Sequence, residues 1–318
     1  MANSNHKLLL GMYSFQIKKN NTKDSEIVDI NDFLSLAYPD TENKFTDGFT
    51  QEIINLIDEK TFKNKSNTHG GILEDKSFSK ERRYFDLVID GGLTGIKQFL
   101  LDGEGNKQTI SKDKIVGLKF FARFWLPAGG KTGYMFIQRY GGVNLKPLFD
   151  ELIKVTLKNH GYRIAGIGRN MRPITTKKRL RKFLEKSAIR DVTVISKNSN
   201  HDTGSGDAQT VTIKLKNIVA KTTNRQIDMR VISDAMKNHG FSIGQKHYDI
   251  TATYESKGKN GKEERTTTLD ASEDSINIIP SILLPPKCMD EDGYPEFTAM
   301  KEFVDNEIDQ IKKESKMR

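Results

Sequence analysis

Asp249, Glu255 and Lys257 are the residues whose types and spacing come nearest to a catalytic set. A magnesium-dependent nuclease needs two carboxylates on the metal and a lysine to orient the attacking water. Glu255-Ser256-Lys257 supplies one carboxylate and the amine two residues apart, and an extended strand would set 249, 255 and 257 on one face. Such sites usually draw their first acid from a neighbouring strand. Asp86 and Asp90 are available, but nothing in the sequence ties them to this one. Polar residues on the wet face of a hairpin account for the triplet equally well. A metal-dependent nuclease therefore stands as an alternative, and no catalytic residue is assigned.

Other chemistry is poorly supported. Gly129-Gly130-Lys131-Thr132 ends like a phosphate-binding loop, but Trp125 stands where the first glycine is required. The strand-like Tyr134-Met135-Phe136-Ile137 then follows where a helix is needed. Gly166-Ile167-Gly168 and Gly204-Ser205-Gly206 lack the third glycine of a dinucleotide loop, since Met171 and Gln209 occupy its place. The six histidines show no paired metal spacing, and no Gly-x-Ser-x-Gly elbow occurs. The lone Cys288 rules out an intramolecular disulfide and reads as a small buried apolar side chain. No metal and no cofactor are expected.

Charge is the informative feature. Between Arg163 and Arg190 stand ten basic residues and one acid, Glu185, a net +9 that equals the net charge of the whole chain. Like charge packed so densely repels itself, and a polyanion would relieve it. Thr175 or Thr176 can cap a helix after Pro173, in which Leu180, Phe183, Leu184 and Ala188 form a core-facing stripe. Lys178, Lys182 and Lys186 lie on the opposite side, with Lys177 and Arg181 flanking the stripe and Arg179 completing the set. Arg169 and Arg172 enter from the preceding loop. Exposed cations suit backbone phosphates, and arginine forks grip phosphate oxygens in pairs. These eight residues are the candidate nucleic-acid contacts. A solvated helix with snorkelling lysines, or a surface for an acidic protein, would also carry cations.

The elements around this segment read as α+β. Residues 1–140 are nearly neutral. They form a mostly antiparallel β meander with flanking helices: strands over 7–18, 83–89, 96–101, 116–126 and 134–140, and helices over 29–36 and 47–60. Residues 63–71 read as an exposed loop. After Gly141-Gly142 helix and strand alternate. A helix over 145–158 stops at His160-Gly161, and strands follow over 162–167, 191–196, 210–215, 246–254 and 265–269. A helix covers 225–237, and a last one is striped by Phe297, Met300, Val304, Ile308 and Ile311. The chain thus reads as an N-terminal β-rich domain, 1–140, and an α/β domain, 141–318, that carries the basic helix. Lys158-Asn159-His160-Gly161-Tyr162-Arg163-Ile164 returns as Lys237-Asn238-His239-Gly240-Phe241-Ser242-Ile243, one capping solution used twice, with a duplicated α–β unit as the alternative. Residues 198–209, rich in Ser, Gly, Asn and Asp, read as a mobile loop.

The run Phe120 to Gln138, with Leu126-Pro127 turning into Tyr134-Met135-Phe136-Ile137-Gln138-Arg139, resembles proteins of about this size encoded beside bacterial antiphage defence genes. So does Phe183-Leu184-Glu185-Lys186 leading into Asp191-Val192-Thr193-Val194-Ile195. The likeness covers residues 115–196 and carries no catalytic motif. It implies a sensor or adaptor that binds foreign nucleic acid, working with a partner protein or as a homo-oligomer. No apolar run is long enough for a signal peptide core or a membrane span, so the expected location is the cytoplasm.

Overall fold

The computed structural model describes residues 8–20, 26–58, 60–141, 143–166, 169–179, 187–198, 209–216, 238, 248–258, 261–272, 275–279 and 282–315. They are α+β, in two compact units. The first comprises Met1–Arg172 and Ile282–Gln310, the second Pro173–Ser281 and Ile311–Arg318. The change of pattern at Gly141 falls inside the first unit, because the helix that follows packs on the same sheet.

The first unit is built on β1 (Leu8–Lys19), β2 (Phe62–Lys63), β3 (His69–Ser79), β4 (Tyr84–Leu93), β7 (Leu118–Trp125), β8 (Thr132–Tyr140), β9 (Tyr162–Ile164), β10 (Arg172–Pro173) and β16 (Ile282–Leu283). They form one sheet in the order β10-β1-β8-β7-β4-β3-β2, with β9 and β16 also pairing β1. Between β4 and β7, β5 (Gln98–Leu101) and β6 (Lys107–Ile110) make a separate hairpin. Both faces of the main sheet are apolar, so the strands read as near-continuous hydrophobic runs rather than clean alternations. Phe15, Ile17, Leu87, Phe120 and Ile137 point to one face, where they are buried in a single cluster. The helices packed there are α1 (Ile30–Ala37), α2 (Gln51–Ile57) and α3 (Lys146–Asn159). Leu10, Met12, Phe121, Arg123 and Phe136 point the other way and are equally buried. The last helix, α4 (Phe297–Ser315), is tied to that face by an ion pair between Arg123 and Asp305.

Local chemistry sets the ends of these elements. Asp29 caps α1, its carboxylate accepting from the Asn31 N–H at 2.8 Å. Asn43 does the same for Phe45 and Thr46 at the start of a π-helical turn, Lys44–Thr50, that runs into α2. The helix expected over 47–60 is therefore two unlike segments. Helix α3 closes as its sequence implies, with Gly161 at φ +78°, a conformation open to glycine at no steric cost. Strand β3 was not anticipated. Its centre, Glu74-Asp75-Lys76, is charged and exposed, it carries a bulge between Leu73 and Asp75, and it begins within the stretch read as a loop.

The second unit holds β11 (Ser187–Asn198), β12 (Gln209–Lys216), β13 (Tyr248–Gly258), β14 (Gly261–Ser272) and β15 (Ser275–Ile279). They pair antiparallel in the order β12-β11-β13-β14-β15. The expected β13–β14 hairpin is present, with Tyr254 opposite Arg265 and Ile250 opposite Leu269. The loop read over 198–209 and the helix read over 225–237 lie largely outside the described residues, with Asn198 and Gln209 paired across β11 and β12.

Candidate nucleic-acid interface

In the first unit, residues 169–172 follow β9 and end in β10, two short strands that both pair β1. The segment is pinned from inside. Met171 is buried in the main cluster, and its N–H donates to Asp150 at 2.9 Å, while Asp150 also pairs Lys146. Lys154 donates to the Asn170 side chain. With Met171 held inward, Arg169 and Arg172 are left exposed. Arg169 takes φ +51°, and the Arg172 guanidinium lies so close to Gly166 that a Cβ there would meet it at 2.4 Å. Neither arginine has an ion-pair partner among the described residues.

The register of β9 adds cations that the local sequence does not reveal. Lys18 is directly opposite Arg163, and Lys19 opposite Tyr162. Side chains so paired stand about 5 Å apart at Cβ, and like charges there are destabilising without an anion between them. Lys18 and Lys19 precede the basic segment by well over a hundred residues, so only strand pairing associates them with it.

In the second unit, residues 177–179 are helical. Thr176 is buried and accepts from the Arg179 N–H at 3.3 Å, which fulfils the capping expectation. The Glu314 carboxylate accepts from the N–H groups of Lys177 at 2.7 Å and Lys178 at 3.1 Å. It satisfies the open backbone donors of the first turn and suits its positive dipole end. The Lys177 and Lys178 side chains are exposed and unpaired among the described residues. Arg181, Lys182 and Lys186 lie outside the described residues. One correction applies: Ala188 belongs to β11, which begins at Ser187, so the helix ends before it and the expected stripe is at least one residue shorter. The run from Ser187 to Asp191 pairs with β13 instead, with a shift of register between Ile189 and Asp191.

Of the nuclease candidates, Asp249, Glu255 and Lys257 all lie on β13, with Glu264 of β14 opposite Glu255 and Lys262 opposite Lys257. Asp86 is committed elsewhere. It is buried in the first unit and takes two hydrogen bonds from Arg123, at 2.5 and 3.0 Å. Asp90 is pushed above the usual carboxylate range by burial and by its neighbour Glu74, against the pull of Lys119. No group of three metal-ligating side chains occurs among the described residues.

One further polar cluster has structural work to do. Glu52 accepts from Tyr38 Oη at 2.6 Å, from Asn159 Nδ2 at 2.9 Å and pairs His160 Nε2 at 2.7 Å, joining the ends of α1, α2 and α3. Burial alone would raise its carboxyl, but these donors outweigh burial and hold it low. Burial and the same carboxylate push the Tyr38 hydroxyl far up, so it stays a donor. Cys288 is fully buried, as expected, and burial raises its thiol. Among the described residues no helix is long and apolar enough to cross a membrane. Comparison with known protein families, curated proteins and solved structures finds no match to this chain.

Proposed function

We propose that this chain binds nucleic acid through its backbone phosphates and serves as a sensor or adaptor in bacterial antiviral defence. The contacts are Arg169 and Arg172 in the first unit and, in the second, the helical turn Lys177-Lys178-Arg179 together with Arg181, Lys182 and Lys186, which lie outside the described residues. The observation that carries the reading is the state of the four cations Arg169, Arg172, Lys177 and Lys178. All are exposed and without an ion-pair partner among the described residues, while the nearby acids Asp150 and Glu314 are turned onto backbone N–H groups. The setting in defence rests on the resemblance of residues 115–196 alone.

Fluorescence anisotropy with labelled DNA and RNA tests the binding. Eight phosphate contacts imply that affinity falls about ten-thousandfold between about 50 and 200 mM salt, for any sequence offered. A salt-independent affinity, or none, overturns the reading. The same mixtures with magnesium or manganese should leave the strands intact. Cleavage that disappears in Glu255→Gln and Lys257→Ala would establish the nuclease instead.

A further inference from the structure

The cross-strand pair Lys18–Arg163 is not among the contacts assigned above, and its setting differs from theirs. Arg169, Arg172, Lys177 and Lys178 are exposed, whereas Lys18 and Arg163 are half-buried on adjacent strands. The register that sets them opposite is fixed from outside the pair. Backbone hydrogen bonds close the ladder on both sides, from the Ala165 N–H to the Gln16 carbonyl and from the Asn20 N–H to the Gly161 carbonyl, each at 2.8 Å. On the other face of the same strands Ile17 and Ile164 stand opposite each other, buried in the main cluster. A slip of one residue would turn both isoleucines outward, so core packing holds the two cations together against their repulsion. No acid forms an ion pair with either among the described residues.

Charge selects the ligand. Two cations held about 5 Å apart at Cβ are balanced by a small group that carries close to two negative charges. A backbone phosphodiester brings one, and so does a carboxylate. A phosphomonoester brings about 1.5 to 2 at neutral pH, spread over three strong acceptor oxygens. The arginine fork can take two of these oxygens while the lysine ammonium meets the third as a point charge. We propose that Lys18 and Arg163 form a binding site for a phosphomonoester dianion, carried on the end of a nucleic-acid strand or on a small phosphorylated molecule. The site stands independently of the backbone-phosphate contacts proposed above.

Thermal unfolding of the full chain tests the site, read from the single tryptophan, Trp125, in inorganic phosphate and in chloride at matched ionic strength. About 20 mM phosphate at neutral pH should raise the wild-type midpoint by about 2–4 °C. Lys18→Glu turns the pair into an ion pair. In chloride its midpoint should equal or exceed that of the wild type, and phosphate should move it no further. Arg163→Met should lose the phosphate response as well. Single strands that differ only in a terminal phosphate or hydroxyl separate the two sources. A preference of about tenfold for the phosphorylated end, absent in Lys18→Glu, assigns the site to strand ends. A phosphate response without that preference assigns it to a small phosphorylated molecule, and does so even if the chain binds no nucleic acid. A midpoint that phosphate raises no more in the wild type than in Lys18→Glu overturns the proposal. So does a Lys18→Glu chain that unfolds well below the wild type in chloride, since Lys18 would then already have an acid for a partner.

Discussion

Arg123 is the most constrained charge in the described residues. It is fully buried, holds Asp86 through Nε and Nη2, reaches Asp305 through Nη1, and lies 3.8 Å from the centre of the Tyr84 ring. A buried pair of this kind contributes little net stability against an apolar replacement, but breaking it on one side leaves a carboxylate buried alone. Arg123→Met should therefore cost about 3–5 kcal/mol, and Arg123→Met with Asp86→Leu clearly less than that. Urea titration followed by Trp125 fluorescence measures both, since Trp125 is two residues along β7 and stacks on Tyr134. A double variant as unstable as the single one would mean that the network is needed for packing rather than for charge balance. In sequence, Arg123 sits inside Phe120-Phe121-Ala122-Arg123-Phe124-Trp125. A lone cation in such a run signals a buried partner, yet which acid answers it depends on register.

At the scale of elements, Glu52 couples three helices, and its protonation should be visible in stability. Its folded carboxyl is held below the ordinary range, so the stabilisation is present above the unfolded value of about 4.3 and is lost as pH falls through the lower folded value. Glu52→Gln removes that titration. The stability gap between wild type and Glu52→Gln should stay constant from about pH 7 to 5 and narrow below about pH 4. A gap that does not change with pH would show that the carboxylate is not the charged form being stabilised. Strands and helices with strong apolar periodicity were legible in sequence, among them β1, α3 and α4, and so was the Gly161 stop. Strand β3 was not, because its exposed residues leave no alternation to read. The basic helix was legible at its cap, Thr176, and misread at its end, where Ala188 fits a helical stripe by spacing but is taken by pairing with Glu255 of β13. The β5 strand was read, though not its isolation from the main sheet, because sequence does not say that β4 pairs β7 across it.

At the scale of the molecule, the candidate contacts divide between two units, Arg169 and Arg172 in the first and the Lys177–Lys178 turn in the second. A polyanion that engages both gains from linkage, since the second contact forms at the high effective concentration set by the first. Charge reversal separates the contributions. Arg169→Glu with Arg172→Glu, and Lys177→Glu with Lys178→Glu, each remove two prospective phosphate contacts, so each should flatten the plot of log affinity against log salt by about 2. All four residues are exposed, so the Trp125 unfolding curve should be unchanged and lost affinity can be assigned to charge. Combining the two double variants should flatten the slope by about 4 and leave binding that no longer tells a long duplex from a short one. If only the Lys177–Lys178 pair changes the slope, the first unit takes no part, and the Lys18–Arg163 cluster at its sheet edge needs another anion. If neither pair does, these four cations are solvated surface, and the reading that rests on their exposed and unpaired state fails.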